Sequence, residues 1–243
     1  MFFVVSLGYF LYAYMIRFGT TSADGFPARA LTWNVALFTI FALHHSVFAR
    51  TKVRAWIAAV CSERLERSVY VWIASLLFIL VCATWQPIAG TAWKVDGSVR
   101  WLLWTVQLVA IWLILHSATV LDVFELAGLR QIGAGKASGA GGTSQARPED
   151  PASPTRLTSP TRLLEFKQVG PYRWVRHPIY FGWLLFVFAA SPMTMTRLTF
   201  AVISSAYLLV AIPFEERTLR RTSGGAYDWY MRQVRWKLVP GVF

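Results

Sequence analysis

The sequence predicts an all-α, polytopic integral membrane protein with about six transmembrane helices, and three observations support this prediction. Hydrophobic residues make up 56% of the 243 residues, and the mean hydropathy is +0.45. Several apolar runs approach the roughly 20 residues that a helix needs to cross a bilayer. The 24 lysines and arginines lie beside these runs, so the net charge of +12 fits a lipid surface. No motif of a nucleic-acid reader accompanies this charge, which argues against nucleic acid as a partner.

Four of the predicted spans lie in an N-terminal membrane region, residues 1–132. We expect them at about residues 2–18, 30–48, 68–85 and 101–121. The chain starts Met-Phe-Phe without a basic segment or a small-residue cleavage site. The first run is therefore expected to be retained as a span rather than removed as a signal peptide. Trp93 and Trp104 lie at either side of the fourth span's start and are expected to be interfacial aromatics.

The rest of the chain divides into a linker and a C-terminal region. Residues 133–162 are mostly Gly, Ala, Ser, Thr and Pro, and they cannot bury enough apolar surface to offset the entropy of ordering, so we predict a flexible cytoplasmic linker. In residues 163–243, Ser191-Pro192 interrupts an apolar block at 179–214, which predicts a helical hairpin that either crosses or re-enters the membrane. Aromatic residues and cations are interspersed between residues 227 and 237, as is typical of an interfacial helix.

The distribution of cations predicts the orientation. Nineteen of the 24 lysines and arginines lie after the second span, after the fourth span or in the tail. By the positive-inside rule this side is cytoplasmic. We therefore expect both termini and the functional site on the cytoplasmic side of a bacterial inner membrane.

One short segment carries more chemistry than a membrane connection requires. Residues 170–182 read Gly-Pro-Tyr-Arg-Trp-Val-Arg-His-Pro-Ile-Tyr-Phe-Gly. Prolines on both sides of the Arg176-His177 pair restrict the backbone there. This concentration of cations, aromatic rings and fixed backbone indicates a binding segment.

The polar residues within the predicted spans converge on the same side of the membrane. His44 and His116 each lie roughly 9 Å below the cytoplasmic boundary at 1.5 Å per residue. His45 is adjacent to His44, and the Glu215-Glu216 pair ends the last span. Ionisable residues in spans are functional candidates because they are costly to place there.

Three interpretations of this convergence remain open. The histidines can bond between helices, with the glutamates paired to nearby arginines. His44 and His116 can ligate a b-type haem, although haem explains neither the Arg-His-Pro segment nor the glutamate pair. A charged small molecule can bind at the rim, where Arg suits a carboxylate, Glu an ammonium or ribose, and aromatic rings a purine and a sulfonium. The third interpretation uses the whole set, and no metal site is predicted.

Two sets of motifs run through the chain. The C-terminal set is Gly170-Pro171-Tyr172-Arg173, Arg176-His177-Pro178-x-Tyr180-x-Gly182, Glu215-Glu216 and Tyr227-x-x-Tyr230. It resembles the motifs of the membrane methyltransferases, a superfamily that includes isoprenylcysteine carboxyl and phospholipid methyltransferases.

The N-terminal set is His45-Ser46-x-x-Ala49-Arg50, Glu66-Arg67-Ser68-x-Tyr70-Val71, Trp85-Gln86-Pro87 and the motif that starts at Asp122. It resembles the nurim-like branch of that superfamily, which includes methanethiol S-methyltransferases.

The resemblance implies S-adenosylmethionine as methyl donor. It implies that His177 and Tyr180 contact the amino-acid end of the donor and that residues 172–175 lie near its adenine. One of the two glutamates would bind the ammonium or the ribose. The residues carried over as donor-binding are Tyr172, Arg173, Trp174, Val175, Arg176, His177, Tyr180, Glu215 and Glu216.

The acceptor determines which residues are needed for catalysis. A thiol attacks well only as a thiolate, so a base or a cationic neighbour is required. The candidates are His45, His116 and Arg50, and we favour His45 because its motif belongs to the branch-specific half. We expect a small thiol such as methanethiol, reaching the site through the lipid bilayer. The alternative acceptors are a prenylcysteine carboxyl and a phospholipid amine. The alternative to an enzyme is a non-catalytic membrane role of the nurim type.

Overall fold

The computed structural model describes residues 2–20, 27–48, 63–120, 170–223 and 225–243. The predicted linker and Arg50 lie outside these ranges. The described helices are α1 (Phe2–Met15), α2 (Pro27–Phe48), α3 (Glu63–Thr84), α4 (Ser98–Val120), α5 (Pro178–Phe188), α6 (Met195–Thr222) and α7 (Ala226–Gln233). Short 3-10 helices cover Arg17–Gly19 and Gly170–Arg173. The four N-terminal helices match the predicted spans to within a few residues.

Among the residues that the structure describes, three helical segments are long and apolar enough to cross a membrane: Phe2–Gly19, Ser98–Val120 and Met195–Arg221. Ser68–Thr84 and Pro178–Phe188 are shorter apolar helices. Leu102, Leu108 and Trp112 of α4 are more than half exposed. A continuous apolar surface of this kind indicates contact with lipid rather than water. The protein is therefore a mostly helical integral membrane protein.

Aromatic rings fill the core where α1, α3, α5 and α6 meet. The Phe10 ring packs against Trp183 at 4.9 Å and against Phe200 at 5.6 Å between ring centroids. Trp85, which follows α3, meets the Phe200 ring edge-on at 5.0 Å. Rings packed at these distances gain more than their buried area alone provides.

The last glycine of the binding segment sets the separation of α4 and α5. A Cβ at Gly182 would lie 2.7 Å from Cγ1 of Ile114 and 3.1 Å from the Ala110 carbonyl oxygen. Small residues at such contacts let helix backbones approach closely within a membrane. As a result α5 packs chiefly against α4, and His116 of α4 comes next to the start of the binding segment.

At the end of the bundle opposite the binding segment, the structure adds two short strands to the predicted all-α fold. β1 (Thr91–Trp93) pairs antiparallel with β2 (Met193–Thr194). Met193 and Thr194 follow the cis Ser191-Pro192 bond and lead directly into α6. The strands join the connection before α4 to the connection between α5 and α6.

The tail packs on the protein, and its predicted interfacial helix buries some of its aromatic residues there. Tyr227, Tyr230 and Val234 are buried and form a small cluster with Leu219. Trp229 and Trp236 stay partly exposed. Tyr227 and Tyr230 pack together against the protein because they lie one helical turn apart on the same face of α7.

Candidate active site

A buried ion pair joins the binding segment to α6. Arg176 Nε donates to Oε1 of Glu216 over 2.8 Å, and both side chains are less than 10% exposed. His177 Nε2 lies 3.4 Å from the same oxygen. The Tyr227 hydroxyl donates to it over 3.5 Å. The Oε1 oxygen of Glu216 therefore already bonds with groups of the protein itself.

The tail holds the other side of Arg176. Its Nη1 donates to the carbonyls of Val234 and Arg235 over 3.0 and 3.1 Å. The backbone N–H groups of Arg176 and His177 donate to the carbonyls of Trp236 and Lys237, each over 2.9 Å. Four consecutive carbonyls of the tail, from Val234 to Lys237, thus accept hydrogen bonds from Arg176 and His177, and they fix the backbone that precedes α5.

Glu215 has a different environment from its neighbour. Its side chain is 44% exposed, against 9% for Glu216. Oε2 of Glu215 accepts from the Tyr180 hydroxyl over 3.0 Å and lies 3.6 Å from Nδ1 of His177. The His177 and Tyr180 rings stack with centroids 5.4 Å apart. One carboxylate is therefore fixed inside the protein, and the next one faces an accessible surface beside two aromatic rings.

The start of the binding segment is buried on one side and open on the other. Tyr172 and Val175 are buried, whereas Arg173 and Trp174 are exposed. The Tyr172 carbonyl accepts from the Tyr230 hydroxyl over 2.8 Å. Burial raises the pKa of the Tyr172 phenol, and the Glu215 carboxylate raises it further. Tyr172 is therefore a neutral hydrogen-bonding group at physiological pH.

A cavity of about 650 Å³ opens beside this segment. It is lined by His116, Gly170, Pro171, Arg173 and Trp174. The His116 ring stacks on Trp112 at 5.1 Å. A Cβ at Gly170, whose φ is +61°, would lie 3.2 Å from Nε2 of His116. The cavity is within the size range of small-molecule pockets.

His45 belongs to a separate pair of helices. Its Nδ1 lies 2.8 Å from the Tyr70 hydroxyl, which joins α2 to α3. The Tyr70 ring also stacks on His44 at 5.8 Å. The two histidines predicted as possible bases thus occupy different surroundings: His45 beside Tyr70, and His116 in the cavity beside Gly170.

Sequence reasoning gave no role in the site to Tyr70, Tyr227 or Tyr230, although all three lie in motifs that it singled out. Spacing could have placed Tyr227 and Tyr230 on one face of a helix. Nothing in the sequence could have paired Tyr70 with His45, because the two helices meet only in the folded protein. Within the described ranges, no group of three His, Cys, Asp or Glu side chains could hold a metal ion.

Comparison with known proteins identifies the class to which this site belongs. Residues 158–221 match the isoprenylcysteine carboxyl methyltransferase (ICMT) family. The methanethiol S-methyltransferase of Crocosphaera subtropica is 36% identical over 206 residues, which cover 84% of this chain and 73% of that protein. Methanethiol S-methyltransferase 2 of Bradyrhizobium diazoefficiens is 36% identical over 216 residues, 88% of this chain and 75% of that protein. The chain belongs to the methanethiol S-methyltransferase family.

The protein is thus a membrane methyltransferase, and the resemblance found in its motifs is confirmed. Nurim of Pan troglodytes is 33% identical over 110 residues, 42% of this chain and 41% of Nurim. No solved structure matches the chain significantly. The match to the ICMT family contains the whole binding segment and both glutamates, whereas His45, Tyr70 and His116 of this methyltransferase lie outside it.

Proposed function

We propose that this methyltransferase transfers a methyl group from S-adenosylmethionine to methanethiol and so forms dimethyl sulfide. The observation that carries the proposal is similarity over most of the chain to proteins named for the methylation of methanethiol. The motifs in both halves of the chain fit the same assignment.

The described site fits the chemistry of the donor. Glu215 is an accessible carboxylate suited to an ammonium or to ribose hydroxyls, and Arg173 is an exposed cation suited to a carboxylate. Trp174 offers an exposed aromatic face for the adenine, near the backbone of residues 172–175. When bound, S-adenosylmethionine supplies a methyl group that its sulfonium has already activated.

We assign different roles to the donor-side residues. Glu215 contacts the donor because its carboxylate is accessible. His177 and Tyr180 contact the donor because they lie beside this carboxylate. Arg176 and Glu216 hold the binding segment in place, because the Arg176 Nε and Nη1 donors and the Glu216 Oε1 acceptor are engaged within the protein. Methyl transfer from a sulfonium needs alignment of the reactants and exclusion of water more than further activation. A rigid binding segment therefore promotes the reaction by keeping the donor aligned.

On the acceptor side we propose His45 as the base. It would take the S–H proton of methanethiol. The resulting thiolate would form a bond to the methyl carbon while the bond from that carbon to the sulfonium breaks. The hydrogen bond between Nδ1 of His45 and the Tyr70 hydroxyl holds the imidazole in one orientation, which supports this role. His116 and Arg50 remain the alternatives, and Arg50 lies outside the described residues.

We further propose six membrane segments, with both termini and the site on the cytoplasmic side of a bacterial inner membrane. The distribution of cations supports this orientation. α5 has 11 residues, roughly 16 Å at 1.5 Å per residue, which is about half of the hydrocarbon thickness. The α5–α6 hairpin would therefore cross with help from its flanking residues, or re-enter on the same side.

The test is methyl transfer by the purified protein in detergent, with labelled S-adenosylmethionine and four acceptors side by side. These are methanethiol, hydrogen sulfide, a farnesylated cysteine and phosphatidylethanolamine. Label in volatile dimethyl sulfide supports the proposal. Label only in the farnesylated cysteine would favour the activity named for the ICMT family. If the protein neither transfers label to any acceptor nor binds S-adenosylhomocysteine, a non-catalytic membrane role is favoured.

A further inference from the structure

The end of the bundle opposite the candidate active site carries an excess of positive charge. Arg197 and Glu215 lie at the two ends of α6, roughly 27 Å apart at 1.5 Å per residue. Arg17, Arg29, Lys94, Arg100 and Arg197 lie at the Arg197 end. Within the described ranges, Asp96 is the one carboxylate near them, and it pairs with Lys94 at 3.6 Å.

Two of these cations are balanced by helix ends. Arg17 donates to the carbonyls of Cys82 and Ala83 at the C-terminal end of α3, over 3.1 and 2.8 Å. Arg197 is 5% exposed and donates to the carbonyls of Tyr14 and Met15 at the end of α1. Free carbonyls at a C-terminal helix end carry partial negative charge and stabilise a cation.

Arg100 has no such balance. It lies in the first turn of α4, where the helix macrodipole is positive and the turn contains no acidic residue. Its guanidinium lies 5.6 Å from the centroid of the Trp104 ring. Its Nε is buried and has no hydrogen-bond partner within the described ranges. A buried donor of this kind is costly, and the positive helix end beside it suits an anion.

Arg100 lines a cavity of about 380 Å³ together with Lys94, Asp96, Trp104, Ser191 and Arg197. The cavity is large enough for a phosphate group. Arg197 is bonded to backbone carbonyls, so Arg100 and Lys94 are the cations that can meet an anion there, beside the carboxylate of Asp96. Val99, Trp101 and Leu102 lie next to Arg100 in the chain and are at least half exposed. An apolar surface therefore begins where the cationic cavity ends.

We propose that this cavity binds the phosphate group of a membrane phospholipid, whose acyl chains lie along the exposed apolar face of α4. Guanidinium groups bind phosphate oxygens strongly because they present paired donors in a matching geometry. Exposed tryptophans are enriched at the membrane–water interface, the level of the headgroup phosphates. Free phosphate shares the headgroup chemistry, and the experiment separates the two sources.

The experiment measures the melting temperature of the full chain in an uncharged detergent with each of three additives. Dioctanoyl-phosphatidylglycerol supplies chains and phosphate, dioctanoylglycerol supplies the chains alone, and inorganic phosphate supplies the anion alone. Binding to the folded state raises the melting temperature with ligand excess. We expect a rise with dioctanoyl-phosphatidylglycerol and none with dioctanoylglycerol. A matching rise with inorganic phosphate would identify free phosphate as the occupant of the same site.

Arg100→Gln is the decisive variant, and Arg29→Gln is its matched control. Arg29 is an exposed cation at the same end that does not line the cavity. We expect Arg100→Gln to weaken apparent binding by roughly tenfold and Arg29→Gln to leave it unchanged. If Arg100→Gln does not fold, Lys94→Gln at an exposed loop position replaces it, with an expected weakening of roughly threefold. Equal responses in wild type and the folded cavity variant, or an equal response to dioctanoylglycerol, would overturn the proposal.

Discussion

Arg176 and Glu216 form an ion pair with 2.8 Å between Nε and Oε1, and neither side chain is more than 9% exposed. The pair lies where the binding segment, α6 and the tail meet. Its neighbour Glu215 differs from Glu216 in exposure and in partners, although the two residues are adjacent in sequence. This difference leads to two contrasting predictions.

Glu216→Gln should destabilise the fold. The amide keeps the shape of the side chain but leaves the Arg176 charge buried without a counter-charge. Breaking one partner of a buried ion pair typically costs about 3–5 kcal/mol. The measurement is unfolding in detergent, followed by tryptophan fluorescence, with Glu215→Gln as the control that should unfold close to wild type. Equal stability of the two variants would refute the anchoring role of Glu216.

Glu215→Gln should instead weaken binding of the donor. Loss of a hydrogen bond to a charged group costs about 1.5–3 kcal/mol, so the dissociation constant of S-adenosylhomocysteine should rise at least roughly tenfold. Isothermal titration calorimetry of the purified protein measures this constant. Unchanged affinity in this variant would remove Glu215 from the donor site.

Tyr70→Phe should lower the rate of methyl transfer without affecting donor binding. Phenylalanine keeps the ring that stacks on His44 but removes the hydroxyl bonded to Nδ1 of His45. Without this bond the imidazole is no longer held in one orientation. We expect a loss of roughly tenfold to a hundredfold in kcat, which is part of the roughly 10²- to 10⁴-fold that a positioned base contributes.

The matched control is Tyr207→Phe. The Tyr207 hydroxyl of α6 forms a hydrogen bond with Thr39, which lies in α2 as His45 does. Tyr207→Phe should leave kcat unchanged. General destabilisation of the fold would not change the pH dependence of kcat. This pH dependence should therefore shift in Tyr70→Phe and remain as in wild type in Tyr207→Phe. Equal kcat values for the two variants would argue against a role of Tyr70 in activating the thiol.

Gly182→Ala should destabilise the contact between α4 and α5. The new methyl group would lie 2.7 Å from Ile114 Cγ1 and 3.1 Å from the Ala110 carbonyl, and overpacking of this kind costs about 1–3 kcal/mol. Gly8→Ala in α1 is the control, because nothing lies within 4 Å of its Cβ position. It should be neutral or stabilising, since alanine favours a helix over glycine. The melting temperatures of both variants test the contrast, and a drop of the same size in each would contradict it.

The apolar runs and the motifs determined much of this protein without its structure. The four N-terminal helices and the break at Ser191-Pro192 follow from local composition and spacing. The class of methyltransferase follows from the resemblance of the motifs to a known family. Such features are readable because a helix in lipid must be apolar along its own length and must satisfy its own backbone hydrogen bonds. A motif such as Arg176-His177-Pro178 is local in the same sense.

Only the tertiary structure distinguished Glu215 from Glu216, paired His45 with Tyr70, and buried Tyr227 and Tyr230 against the protein. It also added the two short strands to a fold predicted as all-α. Each of these depends on which distant segment approaches a residue, and adjacent residues on a helix point in directions about 100° apart. The sequence determined which groups are present, and long-range packing decided which of them are enclosed and which remain accessible.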